Sequence, residues 1–253
     1  MRLSNKLAVI SGGASGIGQA GALLFAQEGA RVAIIDRDPA ALERVVTMGP
    51  PGAIVAIAAD LADPDTARQA MARAVEQLGG LDIFWGNAGV VGPAGIEDLS
   101  LEDYALTEAV NLRANVMMSG LAVSHMRQRG GAILFTSSIS GIVGSRKSPV
   151  YAVTKHALVG LARSLAIAHG PDRIRVNAIC PGITETPMLP SAMGRGLTTE
   201  EMQKNKSAHL ASIPLGRAAQ AEEIAKAALW LASDDASYVT GIALPVDGGY
   251  TCG

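Results

Sequence analysis

Seven short apolar runs, separated by longer helical patterns, constrain this chain of 253 residues more than any other feature. They fall at 7–10, 31–36, 53–59, 81–86, 131–137, 173–179 and 242–246 and are rich in Val, Ile and Ala. None shows the polar alternation of a sheet with one wet face. A strand that is apolar on both sides must be covered on both sides, which is the condition of a parallel sheet between two helical layers. The intervening segments carry helix signals. One pattern runs over 16–28. Asp38-Pro39 and Asp63-Pro64 each set a capping acid before a proline at the first helical position, and the second of these helices runs to about Leu78. Ser100-Leu101-Glu102-Asp103 is similar to a capping box with Asp in place of Glu, opening a helix toward Arg127. Further helices are expected over 150–169 and 221–232. This alternation predicts a doubly wound Rossmann-type α/β fold: one seven-stranded parallel sheet with helices on both faces, in a single domain over 1–253. An eight-unit barrel would usually need more chain. The one long stretch expected to be irregular is 181–220, within which 187–216 reads as a lid over a site.

Apolar residues make up 49 % of the chain, enough for a large core and too many for a disordered one. The net charge of −2 is spread without a basic block, so neither nucleic acid nor a membrane surface is an expected partner. No apolar run approaches the roughly 18 residues of a membrane span. His125, His156, His169 and His209 lie far apart, and no metal is expected. Cys180 and Cys252 read as buried small hydrophobes, and the chain as a cytoplasmic protein in a reducing compartment.

The turn after the first strand reads Ser11-Gly12-Gly13-Ala14-Ser15-Gly16-Ile17-Gly18. Glycines let backbone N–H groups approach a pyrophosphate, and a helix N-terminus adds its positive end. Gly16-Ile17-Gly18-Gln19-Ala20-Gly21 matches G-x-G-x-x-G literally, but its first glycine lies beyond the strand end. The register Gly12-x-x-x-Gly16-x-Gly18 begins at the strand end and is preferred. Asp36 ends the second strand, where an acid accepts hydrogen bonds from an adenosine ribose and repels a 2′-phosphate. Arg37 follows it, and Ser15 brings no second cation, so NAD is favoured over NADP.

Tyr151 and Lys155 are four residues apart in an expected helix, hence on one face. A tyrosine titrates at about 10, too high for acid–base work near neutrality, and an adjacent ammonium lowers that value. In chain order the sequence therefore presents the glycine turn, Asn87-Ala88-Gly89, Ser137-Ser138 and Tyr151-x-x-x-Lys155, each following a strand at its carboxyl end. With Pro181-Gly182 and the ending Val246-Asp247-Gly248-Gly249, the chain resembles the single-domain short-chain dehydrogenase/reductase family along its whole length.

That resemblance implies an NAD(H)-dependent oxidoreductase interconverting a secondary alcohol and a ketone, assembled as a homotetramer. Tyr151 would be the general acid/base. Lys155 would lower its pKa and bind the nicotinamide ribose. Ser138 would hold the substrate oxygen, although Ser137 and Ser140 stand beside it. Asn111 would hold a water in a proton relay with Lys155, or serve as a structural helix asparagine. Gly12, Ser15, Gly16, Ile17, Gly18, Asp36, Asp60, Leu61, Asn87, Gly89, Pro181, Ile183 and Thr186 would contact the cofactor along with Tyr151 and Lys155. Asn87 could equally do no more than shape its turn. Ser11 stands where Thr is usual. Gly86 replaces the first Asn of the family's Asn-Asn-Ala-Gly, a change expected to loosen that turn. Met188, Leu189, Met193, Leu197, Met202 and Leu210 could face substrate or pack the lid onto its own body; Met188 is the expected substrate contact. Val91, Ile139, Ile142 and Val143 would form the other wall, and Arg146 or Arg195 could meet an anionic group. A non-catalytic NAD(H)-binding sensor or scaffold is the competing reading; an intact Tyr151, Lys155, Ser138 and Asn111 argues against it.

Overall fold

The computed structural model describes residues 1–97, 99–145, 148–194 and 198–252. Arg146, Arg195 and Leu197, considered above as substrate contacts, lie outside the described residues. The chain alternates as β1 (Leu7–Ser11), α1 (Gly16–Gln27), β2 (Arg31–Asp36), α2 (Pro39–Met48), β3 (Ile54–Ala58), α3 (Pro64–Leu78) and β4 (Ile83–Gly86). It continues through α4 (Leu101–Glu108), α5 (Ala114–Met126), β5 (Gly131–Thr136), α6 (Pro149–His169) and β6 (Ile174–Pro181). The remainder comprises β7 (Thr184–Glu185), α7 (Leu189–Gly194), α8 (Thr199–Ala211), β8 (Ala219–Gln220), α9 (Ala221–Ala232) and β9 (Ala243–Val246).

Seven strands form one parallel sheet, as the alternation predicts, and the structure orders them β3-β2-β1-β4-β5-β6-β9. Strand periodicity sorts neighbouring side chains to opposite faces. Val9, Ala33 and Ile35 enter one core with residues of α3, α5 and α6, while Ala8, Ile10 and Ile34 enter a second with α1, α2 and α9. Chain order reverses between β1 and β4, and the crevice at the carboxyl ends of these strands is where a doubly wound sheet binds its ligand. The expected caps are present. Asp38 and Asp63 accept from Ala41 N and Thr66 N at 3.0 and 2.7 Å, and α3 stops at Gly79, whose φ of +81° suits a glycine.

Two expectations are corrected and a third is refined. The stretch 181–220 is not irregular: it folds as α7 and α8 between β7 and β8, which pair with each other apart from the main sheet. Thr198 and Glu201 make a full capping box at the start of α8. The helix from Ser100 runs to Met126 as expected, with a π turn at Ala109–Arg113 inside it that divides α4 from α5. Cys252 is exposed rather than buried, while Cys180 is buried as expected. No described helix is long and apolar enough to cross a membrane.

Candidate active site

The glycine turn closes tightly on β2 and β4. Gly12 has φ +64° and Gly16 φ +51°, conformations that side chains resist. A methyl group on Gly18 would overlap the Gly12 carbonyl, whereas Gly21 is bare because the Trp85 ring packs on it. The glycines that the tight turn requires thus follow the register of Gly12, Gly16 and Gly18, and the third glycine of the literal G-x-G-x-x-G match packs a helix on its sheet. Ser15 sits extended at the start of α1 and makes no side-chain cap. The first N–H groups of α1 therefore lack the capping oxygen that usually satisfies them. Gly12, Ser15, Gly16 and Ile17 line a cavity of about 710 Å³. This is a cradle for an anionic phosphate, and a dinucleotide fits it.

Asp36, Arg37, Asp60 and Leu61 line the same cavity on the β2 and β3 side. The Asp36 carboxylate is clasped by Arg37 N at 2.7 Å and Ala14 N at 3.1 Å, which fixes its aim at the strand end. On the β4 side, Asn87 donates to the Ser11 and Gly12 carbonyls at 3.2 and 3.1 Å and accepts from Thr136 Oγ1 at 2.9 Å. Ser11 Oγ in turn accepts from Asn87 N and Ala88 N. Asn87 both shapes its turn and borders the cavity, and Ser11 does the work expected of a threonine hydroxyl.

Helix α6 presents Tyr151 and Lys155 to the cavity together with Ser138 and Gly89. Lys155 is 3 % exposed; its Nζ donates to the Thr136 carbonyl at 2.8 Å and lies 5.4 Å from the centre of the Tyr151 ring. Burial pulls the Lys155 ammonium down from the usual 10.5 to about 8, partly countered by the nearby Cys180. Burial also pushes the Cys180 thiol up, which keeps it protonated and inert. Ser137, Ser138 and Ser140 all border the cavity and differ in their hydrogen bonds: Ser137 Oγ donates to the Lys155 carbonyl at 2.7 Å, bracing α6, whereas Ser138 Oγ accepts from Ser140 N at 3.1 Å. Asn111 lies in the π turn, fully buried. Its Oδ1 accepts from Val90 N at 2.7 Å, and its Nδ2 donates to Val90 O and Thr154 Oγ1 at 2.9 and 3.2 Å.

A glycine cradle at a helix N-terminus and a buried lysine beside a tyrosine open into one cavity, and the chain that carries them is similar to known proteins over nearly its whole length. The family model described as enoyl-(acyl carrier protein) reductase matches residues 12–251. A meso-2,3-butanediol dehydrogenase of Serratia marcescens is 35 % identical over 251 residues, covering 99 % of this chain and 96 % of the relative. A crystal structure of levodione reductase has a TM-score of 0.94 at 33 % identity and covers 99 % of both chains. The chain belongs to the short-chain dehydrogenase/reductase family. A 3-ketoacyl-(acyl-carrier-protein) reductase from Brucella melitensis, solved as a complex with NADH, has a TM-score of 0.89 at 33 % identity over 98 % of this chain and 99 % of the other. The protein is accordingly an oxidoreductase of a family that binds a nicotinamide dinucleotide.

The remaining expected positions of this short-chain dehydrogenase/reductase divide. Pro181, Ile183, Thr186 and Met188 border the cavity, as do Leu189, Met193, Val91, Ile139 and Val143. Leu189, Met193, Ile183 and Leu210 also pack together in a small core with Ile213 and Ala218, so Leu189 and Met193 both border the cavity and pack the lid onto its own body. Ile142 packs against the main core instead, and Met202 lies against Gly194. Sequence reasoning missed His209 and Tyr250, which also line the cavity. His209 Nδ1 is 3.0 Å from the Asn205 carbonyl, which can only accept, so Nδ1 is the donor in that contact. Its place in α8 leaves no local signal, because what it faces depends on how 181–220 folds back.

Proposed function

We propose that this enzyme interconverts a secondary alcohol and a ketone with NAD(H), and that Tyr151 moves the proton. The observation that carries the reading is the buried Lys155 ammonium set 5.4 Å from the Tyr151 ring at the cavity wall. When bound, the nicotinamide dinucleotide supplies the redox partner that accepts or returns the carbinol hydrogen with its electron pair. Ser138 Oγ holds the substrate oxygen. Tyr151 removes the hydroxyl proton in oxidation and returns it in reduction, with Lys155 favouring its phenolate form. Asn111, its amide committed to Val90 and Thr154 and its backbone carbonyl already accepting from Asn115 Nδ2 at 2.9 Å, offers the second lone pair of that carbonyl to a relay water. Asp36 disfavours a 2′-phosphate, so NAD is preferred to NADP.

The substrate end is apolar along Val91, Ile139, Val143 and Met188, with His209 as a polar group on the α7–α8 lid. A hydrogen-bonding group there suits a substrate with a second hydroxyl, as the name of the butanediol dehydrogenase also suggests. The sensor or scaffold reading has no support among relatives named as dehydrogenases and reductases. The same reading treats 1–253 as one domain, cytoplasmic and homotetrameric; Val153 and Ile167 on α6, 63 % and 82 % exposed, offer apolar surface for assembly. The test is a panel of secondary alcohols, diols and ketones followed by NADH absorbance, with NAD and NADP, for the wild type and Tyr151→Phe. Tyr151→Phe is expected to bind NADH normally and to lose about 10²–10⁴-fold in turnover. Activity within about tenfold of wild type would assign the proton to another group.

A further inference from the structure

The departure at Gly86 does not leave a gap. Gly86 ends β4, and Asn115, in the first turn of α5 and four residues after Asn111, is 2 % exposed beneath it. A methyl group on Gly86 would overlap Asn115 Oδ1 and stand 3.1 Å from Phe135 Cδ1. The asparagine amide thus occupies the space where a side chain at 86 would begin. Its other end is committed as well: Asn115 Nδ2 donates to the Asn111 backbone carbonyl at 2.9 Å. That carbonyl can only accept, so the amide orientation is set, with Nδ2 toward Asn111 and Oδ1 toward the bare Cα of Gly86.

We propose that Asn115 is a positioning residue for the proton-transfer machinery, supplying from α5 an amide that this family's sequence pattern would place on the strand at 86. The inference rests on the proposed Tyr151–Lys155 chemistry. The linkage runs through named atoms. Asn115 holds the Asn111 backbone where the π turn widens the helix, and Asn111 ties Val90 to Thr154, the residue preceding Lys155. Asn111 Oδ1 and Lys155 Nζ each lie 3.4 Å from the point where a Cβ on Gly89 would stand, so the two converge on one spot beside the cavity. A shift of the Asn111 backbone therefore changes the polar surroundings of the ammonium that holds Tyr151 in its reactive form. A buried amide between two rigid elements also resists substitution: a leucine of similar size fills the space but leaves the Asn111 carbonyl without this donor.

Four proteins test this beside the wild type: Asn115→Leu, Gly86→Asn, the double variant Gly86→Asn with Asn115→Ala, and Tyr151→Phe. Each is measured for the pH profile of alcohol oxidation, kcat and KM, NADH affinity and melting temperature. Asn115→Leu is expected to lower kcat by about tenfold and raise the apparent pKa of oxidation, with NADH affinity within about twofold. Gly86→Asn alone, which forces two side chains into one space, is expected to lose activity and melting temperature. The double variant moves the amide to the strand and is expected to recover kcat and the wild-type pH profile relative to Gly86→Asn. If Asn115→Leu melts lower but keeps the wild-type pH profile and kcat, Asn115 is only a packing residue and the assignment is overturned. A double variant no more active than Gly86→Asn overturns it too. A Tyr151→Phe protein with full activity removes the underlying chemistry, an outcome distinct from either.

Discussion

Replacing Lys155 by methionine is expected to stabilise the cofactor-free protein while destroying its activity. Lys155 is 3 % exposed, and its ammonium donates to the Thr136 carbonyl; no carboxylate pairs with it among the described residues. Burial lowers the ammonium from 10.5 to about 8. At about 1.4 kcal/mol for each tenfold change in proton affinity, this amounts to roughly 3 kcal/mol of unfavourable desolvation in the folded state. The unfolded chain holds this proton more tightly than the folded one, so stability rises with pH through this window. The penalty is complete below about 8 and gone above about 10.5. Methionine keeps an unbranched apolar stem but removes a donor from the Thr136 carbonyl, a loss of about 1 kcal/mol. The net expectation at pH 7 is a gain of about 2 kcal/mol, shrinking to about zero by pH 9.5. Urea unfolding of both apoproteins at pH 7 and 9.5, at one protein concentration, reads the difference directly. A Lys155→Met protein less stable than wild type by the same amount at both pH values would refute the claim that Lys155 is held in place against its own solvation.

Asp36→Ala is expected to shift the ratio of kcat/KM for NAD over NADP by roughly tenfold or more toward NADP, by removing a like charge from the 2′-phosphate position; steady-state kinetics with each cofactor checks it. Ser138→Ala is expected to lower kcat by about 10²-fold without changing NADH affinity. Ser137→Ala, which breaks the bond to the Lys155 carbonyl, should instead cost about 1 kcal/mol of stability, seen by thermal melting. His209→Leu is expected to lower kcat/KM for diols about fivefold while sparing mono-alcohols of the same carbon number, a selectivity measured by substrate competition.

Signals confined to a few neighbouring residues were legible without coordinates. Strand identity came from short runs of Val, Ile and Ala, and helix starts from Asp38-Pro39 and Asp63-Pro64, because both depend on local backbone and solvent preferences. The Gly12 and Gly16 conformations and the shared face of Tyr151 and Lys155 follow from turn geometry and from four-residue helical spacing. The sheet order agrees with the alternation because right-handed parallel crossovers leave few alternatives. The π turn at Ala109–Arg113 left no such mark: an added residue in a largely apolar segment alters which side chain faces Val90 without altering composition. That Ser137 spends its hydroxyl on the Lys155 carbonyl, a group 18 residues away in sequence, is a contact only the tertiary structure makes. The fold of 181–220 and the placing of His209 and Tyr250 on the cavity depended on packing against Ile183 and Ile213. Gly86 looked like a weakness when read alone and is in fact filled by Asn115, a complementarity between a strand end and a helix that exists only once the two are brought into contact.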